Sequence, residues 1–172
     1  DVVKPSQGIH LVVDRKYLKG EEALMIPKTS DGRVLFAVPW HNRVVVGTTD
    51  VEKQHAELEP VAEEEEVTYI LETAGRFLEE KPGRSDVLSV FAGLRPLAAP
   101  SGSTAKTKEI SRGHKIIESG GGLITLTGGK WTTYRKMGED VIDLAARRAG
   151  LPQRRSATRN LRIHGYLSLI HI

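Results

Sequence analysis

The stretch Arg33–Thr48, RVLFAVPWHNRVVVGT, decides the fold. Two apolar runs rich in β-branched residues, Arg33–Pro39 and Arg43–Thr48, flank Trp40–Asn42, and such runs across so short a break read as a β-hairpin. Both runs are nearly continuous in apolar residues, so their sheet is expected to be covered on both faces over part of its length. Toward the N-terminus, Ala23–Pro27 (ALMIP) and His10–Asp14 (HLVVD) are further short strands, with Ser30-Asp31-Gly32 as a turn signal. Toward the C-terminus, Val87–Leu97 is a strand ending at Arg95-Pro96. Lys108–Ser111 and His114–Glu118 are expected to pair around Arg112-Gly113, and Leu123–Thr127 (LITLT) is the last strand.

Two helices interrupt these strands. Pro60 and the run Glu63–Glu66 suit the start of the first, because negative charge is favoured at the positive end of the helix dipole. Val67, Ile70, Leu71, Ala74, Phe77 and Leu78 recur at helical spacing, and Lys81-Pro82-Gly83 ends the run. The glutamates are read as a solvated first turn rather than a metal site. The second helix follows Gly128–Thr133 and carries Tyr134, Met137, Val141, Leu144 and Ala145 on one face, with Gly150 and Pro152 as stop signals. Only this last strand-to-helix step resembles an α/β unit. The expected class is therefore α+β, a mixed, largely antiparallel sheet with two main helices.

Composition narrows the function. Among 172 residues, Lys plus Arg number 25 against 22 for Asp plus Glu, too small an excess for a surface built to bind nucleic acid. The absence of cysteine excludes disulfides, thiolate catalysis and cysteine-ligated metal centres. No apolar run approaches the roughly 20 residues that span a bilayer, and Asp1–Gly8 has no signal-peptide character. A cytoplasmic domain is the expectation.

Three stretches carry chemistry. Gly128-Gly129-Lys130, then Trp131-Thr132-Thr133, stands between strand and helix. Glycines there let backbone approach a ligand, free N–H groups at a helix start attract anionic oxygen, and Lys130 adds a full positive charge. Neither a Walker loop nor GxGxxG is present. A helix start capped by Thr132 or Thr133 accounts for the same residues equally well. Gly93-Leu94-Arg95-Pro96 is expected to aim a guanidinium, suited to phosphate or carboxylate, out of the end of the sheet; a surface ion pair is the plainer reading. Gly8-Ile9-His10 places an imidazole at the head of a strand, where it could take a proton near neutral pH or simply be structural. No histidine spacing suggests a metal site.

Together, Ser6–Val13 (SQGIHLVV), Val38–Asp50 (VPWHNRVVVGTTD), Gly93–Leu97 (GLRPL) and Gly128–Lys136 (GGKWTTYRK) occur in an order and spacing that resembles the FAD-dependent glycerol-3-phosphate dehydrogenases of the aerobic, respiratory type. These belong to the flavoprotein group typified by D-amino acid oxidase and glycine oxidase, and the resemblance runs from Asp1 to about Gly165. It implies a substrate-binding domain over 1–118, with Val87–Leu97 leading toward the FAD domain. The last strand and helix of the FAD-binding domain then occupy 119–150, and a linker and tail 151–172. The family's GxGxxG unit has no counterpart here, so the chain is expected to be a piece of the enzyme, inactive alone; Leu167–Ile172 does not resemble the family.

In family terms sn-glycerol 3-phosphate is oxidised to dihydroxyacetone phosphate and the electrons pass to a quinone. The resemblance implies that His10 takes the hydroxyl proton and that Arg95 contacts the substrate phosphate. Lys130 would meet both substrate and the pyrimidine end of the flavin. Gly128, Gly129, Trp131, Thr132 and Thr133 would offer backbone donors to that ring edge, and Arg112 would be a second phosphate contact. It further implies no nucleic acid partner, peripheral contact with the inner face of the cell membrane in the full-length enzyme, and room for a homodimer. Two rivals stay open: a related flavoprotein acting on an amino or 2-hydroxy acid, and a non-catalytic phosphate-binding or interaction module.

Overall fold

The computed structural model describes residues 3–30, 32–98 and 113–166. They fall into two compact units, residues 1–110 and 111–172.

The first unit is organised on β1 (Val3–Asp14). One edge of β1 pairs with β6 (Val87–Ala98) along nearly its whole length. The other edge pairs with β4 (Arg43–Gly47) through His10–Asp14 and with β5 (Val51–Glu52) at Ser6 and Gln7. From β4 the sheet continues to β3 (Leu35–Trp40) and β2 (Leu24–Ile26). The expected hairpin is β3–β4; His41 and Asn42 turn it with φ of 43° and 60°, the paired positive values that match the twist of a two-residue loop. Every ladder among the described residues is antiparallel, and the class is α+β with two main helices.

Strand alternation sends Ile9, Leu11 and Val13 of β1, Leu35 and Ala37 of β3, and Val44 and Val46 of β4 to one face. There they meet Val67, Ile70, Leu71 and Ala74 of helix α1 (Glu64–Ala74), the apolar stripe read from the sequence. Each of the valine, leucine and isoleucine side chains contributes on the order of 1.5–3 kcal/mol by leaving water. The helix is shorter than its pattern: Gly75 caps it, and Phe77 and Leu78 lie beyond.

Among the described residues, only one face of the first unit's sheet is packed; on the other, Trp40 and Phe91 are 61% and 51% exposed. Nearly continuous apolar runs therefore mark a sheet with one packed face and one apolar open face. Glutamates 63–65 are exposed as expected, but Glu66 is buried, contrary to the reading of the whole run as solvated. Its carboxylate turns back toward the sheet and accepts the Glu63 amide.

In the second unit, β7 (His114–Glu118) pairs with β8 (Ile124–Gly128). The expected partner of β7, Lys108–Ser111, lies outside the described residues. What closes the β7–β8 hairpin is the Gly120–Gly122 turn, with Gly122 at φ +83° and its amide on Ser119 O. Helix α2 (Tyr134–Arg148) follows, tied to the hairpin by Arg148–Glu118 and by His114 Nε2–Asp140 at 3.0 Å. No described residue of this unit is buried.

Candidate functional site

His10 and Arg95 share the open face of the first unit. Pairing of His10 with Phe91, Gly8 with Gly93 and Ser6 with Arg95 puts these side chains on one side of the β1–β6 ribbon. His10 lies mid-strand, since β1 begins at Val3 rather than at His10. Its ring stacks on Phe91, centroids 5.0 Å apart and planes 11° from parallel. Gly47, its partner on β4, flanks the ring closely: a Cβ there would lie 2.4 Å from His10 Cδ2. Burial first, and the Arg95 charge second, push the His10 imidazole below its ordinary value. At neutral pH it is therefore neutral and able to accept a proton.

Arg95 does not point out of the end of the sheet. It lies inside β6, which runs on to Ala98, and its guanidinium crosses the face over Gly8. A Cβ at residue 8 would meet Nη2 at 2.1 Å, so only glycine leaves that path open. Nη1 donates to Thr49 O at 3.1 Å and Nη2 to Thr48 Oγ1 at 2.8 Å. It is thus fastened to the loop that carries Thr48 and Thr49. Thr48, Thr49 and Gly8 matter to this geometry and were visible only as part of the GIH and GTTD phrases.

A groove of about 620 Å³ opens beside His10, lined by Val12, Phe36, Trp40, Thr48 and Phe91 among others. It has the apolar wall and few polar groups typical of small-molecule sites.

The Gly-Gly-Lys stretch belongs to the second unit. Gly128 and Gly129 take φ of +74° and +79°, values that favour glycine. At Gly129 a Cβ would also meet Met137 Sδ at 2.4 Å, so that thioether would have to swing aside. Trp131–Thr133 form a 3-10 turn leading into α2. Thr133 caps it, its hydroxyl accepting the Lys130 amide at 3.0 Å. As N-cap of α2, however, the Thr133 side chain accepts no helix amide, so the expected capping of the helix itself is not what forms; the amides of Trp131 and Thr132 stand in the first turn, where no earlier turn supplies acceptors. Lys130 is exposed and Trp131 is 90% exposed. Successive open amides beside a lysine fit an electron-rich ring carbonyl or an anionic oxygen, and so fit the rim of a flavin. Arg112 lies outside the described residues. Among the described residues no cluster of His, Asp or Glu could hold a metal, and no helix is long and apolar enough to cross a membrane.

Comparison with known proteins agrees with this chemistry. The profile of the FAD dependent oxidoreductase family (DAO) matches residues 1–135. The mitochondrial glycerol-3-phosphate dehydrogenase of Arabidopsis thaliana is 43% identical over 166 residues, covering 95% of this chain and 26% of that protein. The human mitochondrial glycerol-3-phosphate dehydrogenase is 39% identical over 166 residues, with 95% and 23% covered. The crystal structure of glycerol-3-phosphate dehydrogenase from Bacillus halodurans, complexed with FAD, superimposes with a TM-score of 0.75 at 34% identity, covering 96% of this chain and 31% of that one. The chain thus spans about a quarter of the length of these curated relatives. With a family profile matched over most of its length, this chain belongs to the FAD dependent oxidoreductases.

Proposed function

We propose that the protein of which these residues form part is a quinone-linked glycerol-3-phosphate dehydrogenase. The carrying observation is that His10, stacked on Phe91, and Arg95, fastened to Thr48 and Thr49, stand on the same sheet face, one suited to take a proton and the other to receive an anion. The relatives, glycerol-3-phosphate dehydrogenases, support the substrate.

In this reading residues 1–118 bind substrate, 119–150 close the FAD domain and 151–172 lead onward. Bound FAD supplies the acceptor for the hydride that leaves the carbinol carbon. His10 takes the hydroxyl proton, so the carbon loses a hydride and the oxygen a proton, and dihydroxyacetone phosphate results. Phe91 and Gly47 hold the imidazole plane for that transfer. Arg95 receives the phosphate, a guanidinium being suited to that anion. Lys130 and the amides of Gly129, Trp131 and Thr132 would hold the pyrimidine edge, where a positive charge stabilises electron density arriving on the ring. Arg112 is assigned a second phosphate contact on the resemblance of its neighbourhood alone. A quinone as onward acceptor, peripheral attachment at the inner face of the cell membrane, and a homodimer complete the proposal.

The test is made in the complete FAD-loaded enzyme. His10→Gln is expected to lower kcat by about 10²- to 10⁴-fold, the usual worth of a positioned general base. Arg95→Ala and Lys130→Ala should each cut turnover with glycerol 3-phosphate. Unchanged kinetics in all three would overturn the assignment. Faster flavin reduction by an amino or 2-hydroxy acid would move the substrate class from phosphate to carboxylate.

A further inference from the structure

Beneath Arg95 the sheet is built of polar groups, where the rest of its inner layer is apolar. Gln7, Thr49 and Glu66 are all buried there, and Glu66 is only 4% exposed. Its carboxylate accepts three hydrogen bonds: from Thr49 Oγ1 at 2.5 Å, from Gln7 Nε2 at 2.6 Å and from the Glu63 amide at 3.2 Å. Gln7 Nε2 also donates to Val61 O at 2.9 Å. The Thr49 hydroxyl spends its proton on Glu66 and accepts the Ile9 amide at 3.0 Å, which leaves it a single orientation. Residue 49 then offers its carbonyl to Arg95 Nη1, and Thr48 its hydroxyl to Nη2. On the far side, Ser6 Oγ donates to Asp50. Thr48, Thr49 and Asp50 are thus each fastened by a side chain or backbone group of another element.

We infer that Glu66 is a positioning residue for Arg95. It fixes Thr49, and through the Thr48-Thr49 segment it holds the guanidinium in one place on the sheet. This rests on the reading of Arg95 as the phosphate contact. The chemistry requires a carboxylate. Three donors converge on residue 66, and only a group that accepts at both oxygens can take all of them. Glutamine would turn an NH₂ group either onto the Thr49 hydroxyl or onto Gln7 and the Glu63 amide.

The experiment uses the complete FAD-loaded enzyme and two readouts: steady-state kinetics with glycerol 3-phosphate, and the dissociation constant of dihydroxyacetone phosphate by calorimetry. Thr49→Val and Glu66→Gln are expected to raise both KM and that dissociation constant about tenfold, with a smaller change in kcat and an unaltered flavin spectrum. Thr49→Ser, which keeps the hydroxyl, should return both constants to within about twofold of wild type. In an Arg95→Gln background, Thr49→Val should add nothing, because the two act on one contact. Should Glu66→Gln fail to fold, Thr49→Val and Thr49→Ser carry the test. Loss of thermal stability with wild-type constants overturns the inference, as does an equal Thr49→Val effect with and without Arg95. Wild-type phosphate affinity in Arg95→Gln alone is a different result: it sinks the reading of Arg95 on which the inference stands.

Discussion

Replacing Gly8 by alanine is the sharpest probe of the open face. A methyl at residue 8 would lie 2.1 Å from Arg95 Nη2, 2.4 Å from Nη1 and 2.5 Å from Cζ. Tight contact ends at 3.4 Å, so the guanidinium has to retreat by about 1.3 Å. That retreat breaks the bonds to Thr48 Oγ1 and Thr49 O. Hydrogen bonds from a charged donor contribute roughly 1.5–3 kcal/mol each. Arg95 is only partly buried, however, and water recovers much of that loss. Alanine in a strand also gains about 0.5–1 kcal/mol over glycine. The net cost to stability is therefore small, about 1 kcal/mol, and the shift in Tm it causes shrinks further with the size of the complete enzyme. The cost to function is larger, because a misplacement near 1 Å in a positioned group can lower catalysis about 100-fold. In the FAD-loaded enzyme, Gly8→Ala should thus lower kcat/KM for glycerol 3-phosphate about 100-fold, while calorimetric Tm moves by only a few degrees. A variant with wild-type kcat/KM would refute the claim that the guanidinium lying over Gly8 is the functional one.

Gly47→Ala should be costlier to the fold than Gly8→Ala, because its Cβ would meet the Ile9 carbonyl at 2.9 Å as well as the His10 ring. A backbone atom cannot step aside as a guanidinium can, and urea denaturation should show a loss of about 1–3 kcal/mol. Phe91→Ala removes the ring that covers His10, so the His10 C2 proton should titrate at higher pH by NMR than in the wild type. For the same reason the wild type should lose stability as pH falls below about 6.5 and through the lowered pKa of folded His10, because folding favours the neutral ring. His10→Gln should remove that slope in a pH series of denaturation midpoints. Ile70→Ala empties the centre of the α1–sheet contact and should cost about 2–5 kcal/mol by chemical denaturation.

What the sequence reveals of this molecule follows a physical divide. Apolar periodicity exposes α1, β3, β4 and β6, because burial on one face imposes a pattern on neighbouring residues. The first half of β1 escapes such a reading: Pro5, Ser6 and Gln7 look like a loop, and their strand character comes from β5 and β6, which pair with them from residues 51–52 and 94–96. Likewise, the partner of β7 is chosen by the Gly120–Gly122 turn and not by the alternation within His114–Glu118, which suits a neighbour on either side. His10, Arg95 and the Gly-Gly-Lys turn are legible as residues with chemistry; that Arg95 folds back over Gly8 is not, because it depends on an empty Cβ position on the neighbouring strand.

Glu66 shows where that divide bears on function. In a run of four glutamates, charge alone says solvent, and for three of them that is correct. The fourth is drawn inward by donors 3, 17 and 59 residues away in sequence, none of which a helical pattern can report. A well-packed apolar cluster in the same place would hold the helix to the sheet equally well, since buried charge seldom adds stability over hydrophobic packing. What an apolar cluster cannot do is give Thr49 one orientation, because dispersion contacts have no direction and hydrogen bonds do. The buried polar patch is therefore better understood as a device for aiming Arg95 than as part of the core. It lies under the guanidinium end of the sheet, while the apolar core lies under the rest, and that division of labour is what a site requiring one fixed cation on a stable sheet would need.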